Sequence, residues 1–427
     1  MASPKVFSLE GKVLKLDTAA DIEPHIKDLE ANDDVEEVRF LGNTLGIGAS
    51  EALAKVLETK KKLQVANFAD IFTGRLLNEI PTALSHLLTS LLALPNLHTV
   101  NLSDNAFGLN TQAPLVDFLS KHVPLRHLIL NNNGLGPAAG ILIADALTSL
   151  AEKKAAAKNS GQAVPDLETI ICGRNRLEAG SMAAWSKAFA ANSSVREVKM
   201  VQNGIRQEGI TRLLTEGLSH ATKLVTLDLQ DNTFTATGAH ALSSVVVNWT
   251  EIKELGVGDS LLSARGGVAL ATALSKGNHS KLEILRLQYN EIEADGIKGL
   301  ANAVEKLPAL RRIELNGNKF SEEDENIEKL RETLNERKEN AGGLGEYDED
   351  YWGIDDLDDL EEGSDEEDDE DASAKAGSDD EEEGVEVEEK AARALAEAQQ
   401  AEESNVAQDN DKKVDDLADA LAKTEIK

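Results

Sequence analysis

The sequence predicts an α/β solenoid, in which short strands form one parallel sheet and helices cover its other face. Three observations predict it. A frame of apolar residues returns along most of the chain. An asparagine recurs at one place in that frame, and room for a helix follows each copy. The frame is clearest from Leu125 to Gly136, with apolar residues at positions one, four, six and eleven (Leu125, Leu128, Leu130, Leu135) and Asn133 at position nine. Leu128 and Leu130 alternate, as on the buried face of a strand. Asn133 turns the chain, and its amide is suited to backbone groups that the turn leaves unpaired. One such unit cannot bury its apolar face alone, so copies must stack.

Copies are centred on Val38 with Asn43, Val100 with Asn105, Ile170 with Asn175, Val198 with Asn203, Leu227 with Asn232, Leu285 with Asn290 and Ile313 with Asn318. Two are degenerate: Ser260 and Ile71 stand where the asparagine belongs. Most neighbours are about 28 residues apart, the long end of the ~20–29 leucine-rich-repeat range. The helical half shows in Leu84, Leu87, Leu88, Leu91 and Leu92, a buried stripe at helical spacing. The expected fold is a leucine-rich-repeat horseshoe of the ribonuclease-inhibitor-like type.

In chain order, residues 1–34 read as an N-terminal cap, with a strand near Val13, Leu14 and Leu16 and a helix from Ile22 to Leu29. Residues 35–340 read as the solenoid. The step through Asp70–Arg75 breaks the frame, and 152–165 reads as an insertion that lengthens a helix and loops outward. A charged helix from Glu322 to Lys338 closes the array on Ile327, Leu330 and Leu334. Residues 341–389 read as a disordered acidic tail, too poor in apolar groups to offset the entropy of ordering. Tyr347, Tyr351 and Trp352 are exceptions that can dock on the last repeat or on a partner. Residues 390–427 read as weakly helical, around Lys390–Gln400 and Val414–Leu421.

The formal charge is −33, and 346–389 hold 25 carboxylates against one lysine, a net of −24. Nucleic acid would be repelled; a basic protein surface would be attracted. A single cysteine, Cys172, makes no internal disulfide and sits at a core position, which favours a reducing, intracellular compartment. No signal peptide or membrane span is expected. Gly134-Leu135-Gly136-Pro137-Ala138-Ala139 imitates a dinucleotide turn, but its sister repeats lack the glycines and Pro137 is ordinary at a helix start. No phosphate-binding P-loop, zinc-spaced histidines or calcium loop is present, so no cofactor or metal is expected. What remains are polar residues at turns: Arg75, and at position eight Asp104, Asn132, Arg174, Asp231 and Tyr289, in a row along one edge. The residues alone describe an acidic solenoid that binds a basic protein.

Asp70-Ile71-Phe72-Thr73-Gly74-Arg75, Leu102-Ser103-Asp104-Asn105-Ala106-Phe107-Gly108, Cys172-Gly173-Arg174-Asn175-Arg176-Leu177 and Leu285-Arg286-Leu287-Gln288-Tyr289-Asn290-Glu291 are not generic repeat consensus. With the acidic tail, they closely resemble the GTPase-activating proteins of Ran, in their fungal form without a folded C-terminal domain. The resemblance implies an activator, not an enzyme in its own right, which serves nucleocytoplasmic transport from the cytoplasm, the nuclear rim or by shuttling. Ran in its GTP-bound form would be the partner, together with a Ran-binding protein, and the chain would act as a monomer. GTP and magnesium would belong to Ran. Asn132 would hold Ran's catalytic glutamine against the attacking water, with no arginine finger, and Arg75 would organise the interface. Asp104, Arg174, Arg176, Asp231 and Tyr289 would contact the partner. Where some relatives carry a basic residue two places after that arginine, this chain has Leu77. The alternative is a binding module that sequesters a basic protein, like a histone chaperone or an inhibitor.

Overall fold

The computed structural model describes residues 5–342 and 348–361. Among the described residues, twelve strands form one sheet in which every neighbour is parallel and follows in chain order, apart from the small strands noted below. The frame explains this directly. Each main strand is short, as in His127–Ile129, with the central residue buried and its neighbours half-buried. Leu128 lies opposite Val100 on one side and Ile170 on the other. Position four thereby becomes a continuous apolar column, from Val38 through Leu227 to Ile313. All are fully buried or nearly so. Helices return the chain behind the sheet and bury their leucine stripes, among them Leu84, Leu87, Leu88 and Leu91.

The sheet does not begin at Val35, where the cap was expected to end. Val6–Ser8 already pairs with Glu37–Arg39, so the cap carries the first strand of the array. Its helix, Ala19–Ala31, starts on a capping box: the Thr18 and Asp21 side chains each bond the other's backbone N–H. A second, two-stranded ladder joins Lys15–Leu16 to Thr44–Leu45 on the turn side.

The insertion lengthens one helix to Gly136–Asn159. Although 42 residues separate Asn133 from Asn175, they bond as adjacent copies. Buried Lys154 fastens the long helix by donating to the carbonyls of Val123 (2.7 Å), Leu125 (2.6 Å) and Pro165 (2.8 Å). Its burial pushes the ammonium down to about 8.

At the far end the closing helix is Glu325–Asn340, capped by Asp324 and buried through Ile327, Leu330 and Leu334, as expected. The first part of the expected disordered tail is instead ordered. Gly353–Ile354 pairs with Arg312–Glu314 as the last strand. Arg311 and Arg312 donate to the carbonyls of Tyr351 and Trp352, and Leu357 is buried. The carboxylate of Asp355 accepts from the backbone N–H of Leu315 (2.6 Å) and Asn316 (3.1 Å). Tyr351 and Trp352 thus dock on the last repeat, and Tyr347 lies outside the described residues. The rest of the tail and both expected helices near the end lie outside the described residues. Among those described, no helix is long and apolar enough to cross a membrane.

Candidate functional site: the turn edge

The edge is built by the asparagines. Asn133 is fully buried, and its Nδ2 donates to the carbonyls of Leu102 and Leu130 (both 3.0 Å). Its Oδ1 accepts the N–H of Asn105, while its own N–H goes to Oδ1 of Asn175. The amides therefore stitch one repeat to the next. The same pattern runs from Asn203 to Asn232 and from Asn290 to Asn318. Even degenerate Ile71 and Ser260 donate their N–H into it.

Position eight precedes each asparagine and is pinned twice. Its N–H donates to the position-seven carbonyl of the next repeat, as in Asp104 to Asn131, Asn132 to Gly173, Arg174 to Val201 and Asp231 to Gly258. Its backbone is left-handed, with φ of 61° at Asp104, 54° at Asn132, 56° at Arg174, 55° at Asp231 and 53° at Tyr289. Position eight therefore forms the expected row, with fixed spacing.

Asn132 is exposed. Its Nδ2 donates to Oδ1 of Asp104 at 2.8 Å, and its own Oδ1 has no partner among the described residues. Adjacent Asn131 is used internally: its Oδ1 accepts the N–H of Gly173 at 2.7 Å. Arg174 and Arg176 are exposed in the next turn, and both have left-handed backbones. Asp231 is half-buried, and burial together with the neighbouring charge of Asp259 pushes its carboxyl up.

Two expected contact residues behave differently. Arg75, expected to organise the interface, has a side chain that is only 7% accessible. It reaches back to the N-terminal ladder, where Nε donates to Thr44 Oγ1 (2.8 Å) and Nη2 to the carbonyls of Thr44 (2.9 Å) and Leu16 (3.2 Å). Nη1 pairs with Asp17. The guanidinium fork thus adds a donor to a carbonyl on each of the two turn-side strands. Tyr289 is partly exposed, but its hydroxyl donates to Asp359 of the returning acidic segment at 2.9 Å. That bond pushes the phenol upward. Asp17 and Asn131 are structural contributors that the frame did not single out. Asp17 lies 58 residues from Arg75, so no local spacing signals the pair.

No group of three or more potential metal ligands exists among the described residues. Cys172 is buried, and burial pushes its thiol up to about 12, so it is no nucleophile near neutral pH.

A family model described as Leucine Rich repeat matches residues 220–243 and 278–301. Ran GTPase-activating protein 1 of Saccharomyces cerevisiae is 40% identical over 335 residues, covering 76% of this chain and 81% of the yeast protein. The chain belongs to the Ran GTPase-activating protein family. The family member of Xenopus laevis is 38% identical over 333 residues, 77% of this chain but 56% of that longer protein. Pig ribonuclease inhibitor is 26% identical over 76% of this chain and 74% of its own length. The yeast match spans most of the chain, so the turn edge belongs to a scaffold that the family shares. On that scaffold, Asn132 is an exposed edge residue whose Nδ2 is bonded to Asp104 and whose Oδ1 has no partner among the described residues.

Proposed function

We infer that the chain activates GTP hydrolysis by Ran, and that it does so by presenting Asn132 to Ran's own glutamine. The observation that carries the mechanism is the Asp104–Asn132 pair. With Nδ2 committed to Asp104, the Oδ1 of this exposed residue is left as an acceptor without a partner among the described residues. An incoming glutamine side chain has an N–H to give it, and that bond would hold the glutamine where its carbonyl orients the attacking water. Asp104 is then a positioning residue for Asn132 rather than a partner contact. Activators of small GTPases accelerate hydrolysis by ~10³–10⁵, or ~4–7 kcal/mol of barrier. A preorganised hydrogen bond and correct orientation supply a part of this without a cation in the phosphate site.

Arg75 supports the edge from behind. Its guanidinium is spent on Thr44, Leu16 and Asp17 and acts by fixing the loop that carries it. Arg174, Arg176 and Asp231 are the edge groups left to contact Ran in its GTP-bound form. GTP and magnesium belong to Ran, the activator acts as a monomer, and a Ran-binding protein joins the complex. The carboxylate-rich stretch of 346–389 favours a basic patch on Ran and raises the association rate at low salt.

Single-turnover hydrolysis of Ran·GTP, with other small GTPases as controls, tests this. Full-length chain is expected to accelerate Ran alone. Asn132→Ala is expected to remove most of the acceleration while lowering stability only by the strain of alanine in the left-handed region, about 1 kcal/mol. Arg75→Ala is expected to lower both activity and stability, the latter by about 2 kcal/mol from lost charged hydrogen bonds. Tail-dependent binding of histones with no effect on Ran·GTP would favour the sequestering module, a reading consistent with the similarity to ribonuclease inhibitor.

A further inference from the structure

Leu76 and Leu77 are 65% and 63% exposed, and among the described large apolar residues only Val13 is more so. Single exposed leucines are ordinary, but two consecutive ones on a braced loop are not. The loop leaves the sheet between buried Phe72 and buried Ile80. It is closed by the Arg75 N–H on the Phe72 carbonyl and the Glu79 N–H on the Leu76 carbonyl, both at 3.0 Å. Thr73 bonds Asp70, and the Arg75 guanidinium ties the loop to the N-terminal ladder. The leucines therefore project from a fixed tip, with little backbone freedom left to lose on binding.

The tip stands on the proposed contact edge. Asp70, at position eight, immediately precedes the loop, and the next two places in the row are Asp104 and Asn132. Two strand steps amount to roughly 10 Å. We propose that Leu76 and Leu77 form the apolar anchor of the GTPase complex, seating in a nonpolar patch beside the partner's nucleotide site. This rests on the function proposed above and gives affinity two separable sources. The carboxylate-rich stretch acts at long range and weakens with salt. The leucine tip acts by contact and does not weaken with salt.

The test is the Leu76→Ser/Leu77→Ser double variant of the full chain, titrated against Ran·GTP in single turnover at low and high salt. The half-saturating concentration is expected to rise about 30-fold at both salt levels, or about 2 kcal/mol at 1.4 kcal/mol per tenfold. The rate at saturation should remain near that of the parent, and Leu76→Met/Leu77→Met should restore binding. An unchanged thermal midpoint would show that the fold is intact, as expected for exposed side chains. If the parent accelerates Ran and the serine variant saturates at the same concentration, the anchor is refuted while the activator reading stands. A fall in the saturating rate with unaltered half-saturation would also refute it. A parent that leaves Ran·GTP untouched would overturn the activator reading and the anchor together.

Discussion

Arg174, Gln202 and Tyr289 adopt φ of 56°, 54° and 53°, where a side chain crowds the following carbonyl. Elsewhere position eight uses residues that tolerate this region, such as Gly42, Asp104, Asn132 and Gly317. The strain amounts to about 1 kcal/mol per residue or somewhat more. Tyr289 gains a bond to Asp359 in return, whereas Arg174 is exposed and makes no ion pair among the described residues. The function proposed above assigns its gain to the contact with Ran. Arg174→Gly is therefore expected to raise unfolding stability by about 1 kcal/mol in urea while weakening activation of Ran·GTP. Gln202→Gly should give the stability without the functional loss. Equal activity in both variants would remove Arg174 from the interface. The row itself is legible in the sequence, since the frame counts to position eight in every copy. Its left-handed backbone is hinted at only by the excess of Gly, Asn and Asp. The destination of Arg75 is not legible, because its acceptors come from the cap through tertiary contact.

Between elements, side chains near the end of one repeat reach carbonyls of the one before. Lys60 donates to Glu30, Trp249 to Leu218 and His279 to Val246. His122 does so to Leu97 at 2.7 Å, so its Nε2 carries the proton and its buried Nδ1 has no partner among the described residues. The ring stacks on Phe118, 4.8 Å between centroids. Burial, reinforced by the charge of Lys154, pushes His122 down to about 4, against the raising effect of the Leu97 carbonyl. The sign follows from linkage: between about pH 6.5 and 4 the unfolded chain binds a proton that the folded chain refuses. This contribution to stability is full above pH 6.5 and is lost as pH falls toward 4, a change of about 3 kcal/mol. His122→Gln, which keeps a donor for Leu97, is expected to flatten that part of the stability–pH curve in urea titrations. An unchanged slope would mean that the histidine titrates alike in the folded and unfolded chains. Such histidines are hidden from sequence patterning because their place, three residues before the frame's first apolar residue, is filled by a different donor in each copy: Lys60, His122, Trp249 and His279.

Across the whole molecule, a solenoid is stabilised by nearest-neighbour interfaces, so its ends are where it opens first. The N-terminal end is covered by the helix Ala19–Ala31 and the strand Val6–Ser8. At the other end an acidic segment, whose composition argues for disorder, supplies the last strand. Composition misleads here because a few anchors suffice: Ile354 continues the position-four column and Leu357 is buried. The Asp355 carboxylate accepts two backbone N–H groups, and burial pushes its carboxyl up despite those bonds. Removing that carboxylate orphans two N–H groups at the exposed end of the array, each costing about 1–3 kcal/mol if it remains buried. Asp355→Ala is therefore expected to speed amide exchange at Leu315 and Asn316 by tenfold or more, in the order-of-magnitude sense that about 1.4 kcal/mol gives. Leu128 and Ile170, deep in the array, should exchange as before, and the single-turnover rate with Ran·GTP should be unchanged because Asn132 lies many repeats away. Loss of protection at both places would show that the array opens as one cooperative block. A slower hydrolysis rate would show that the far cap is mechanically coupled to the edge around Asn132.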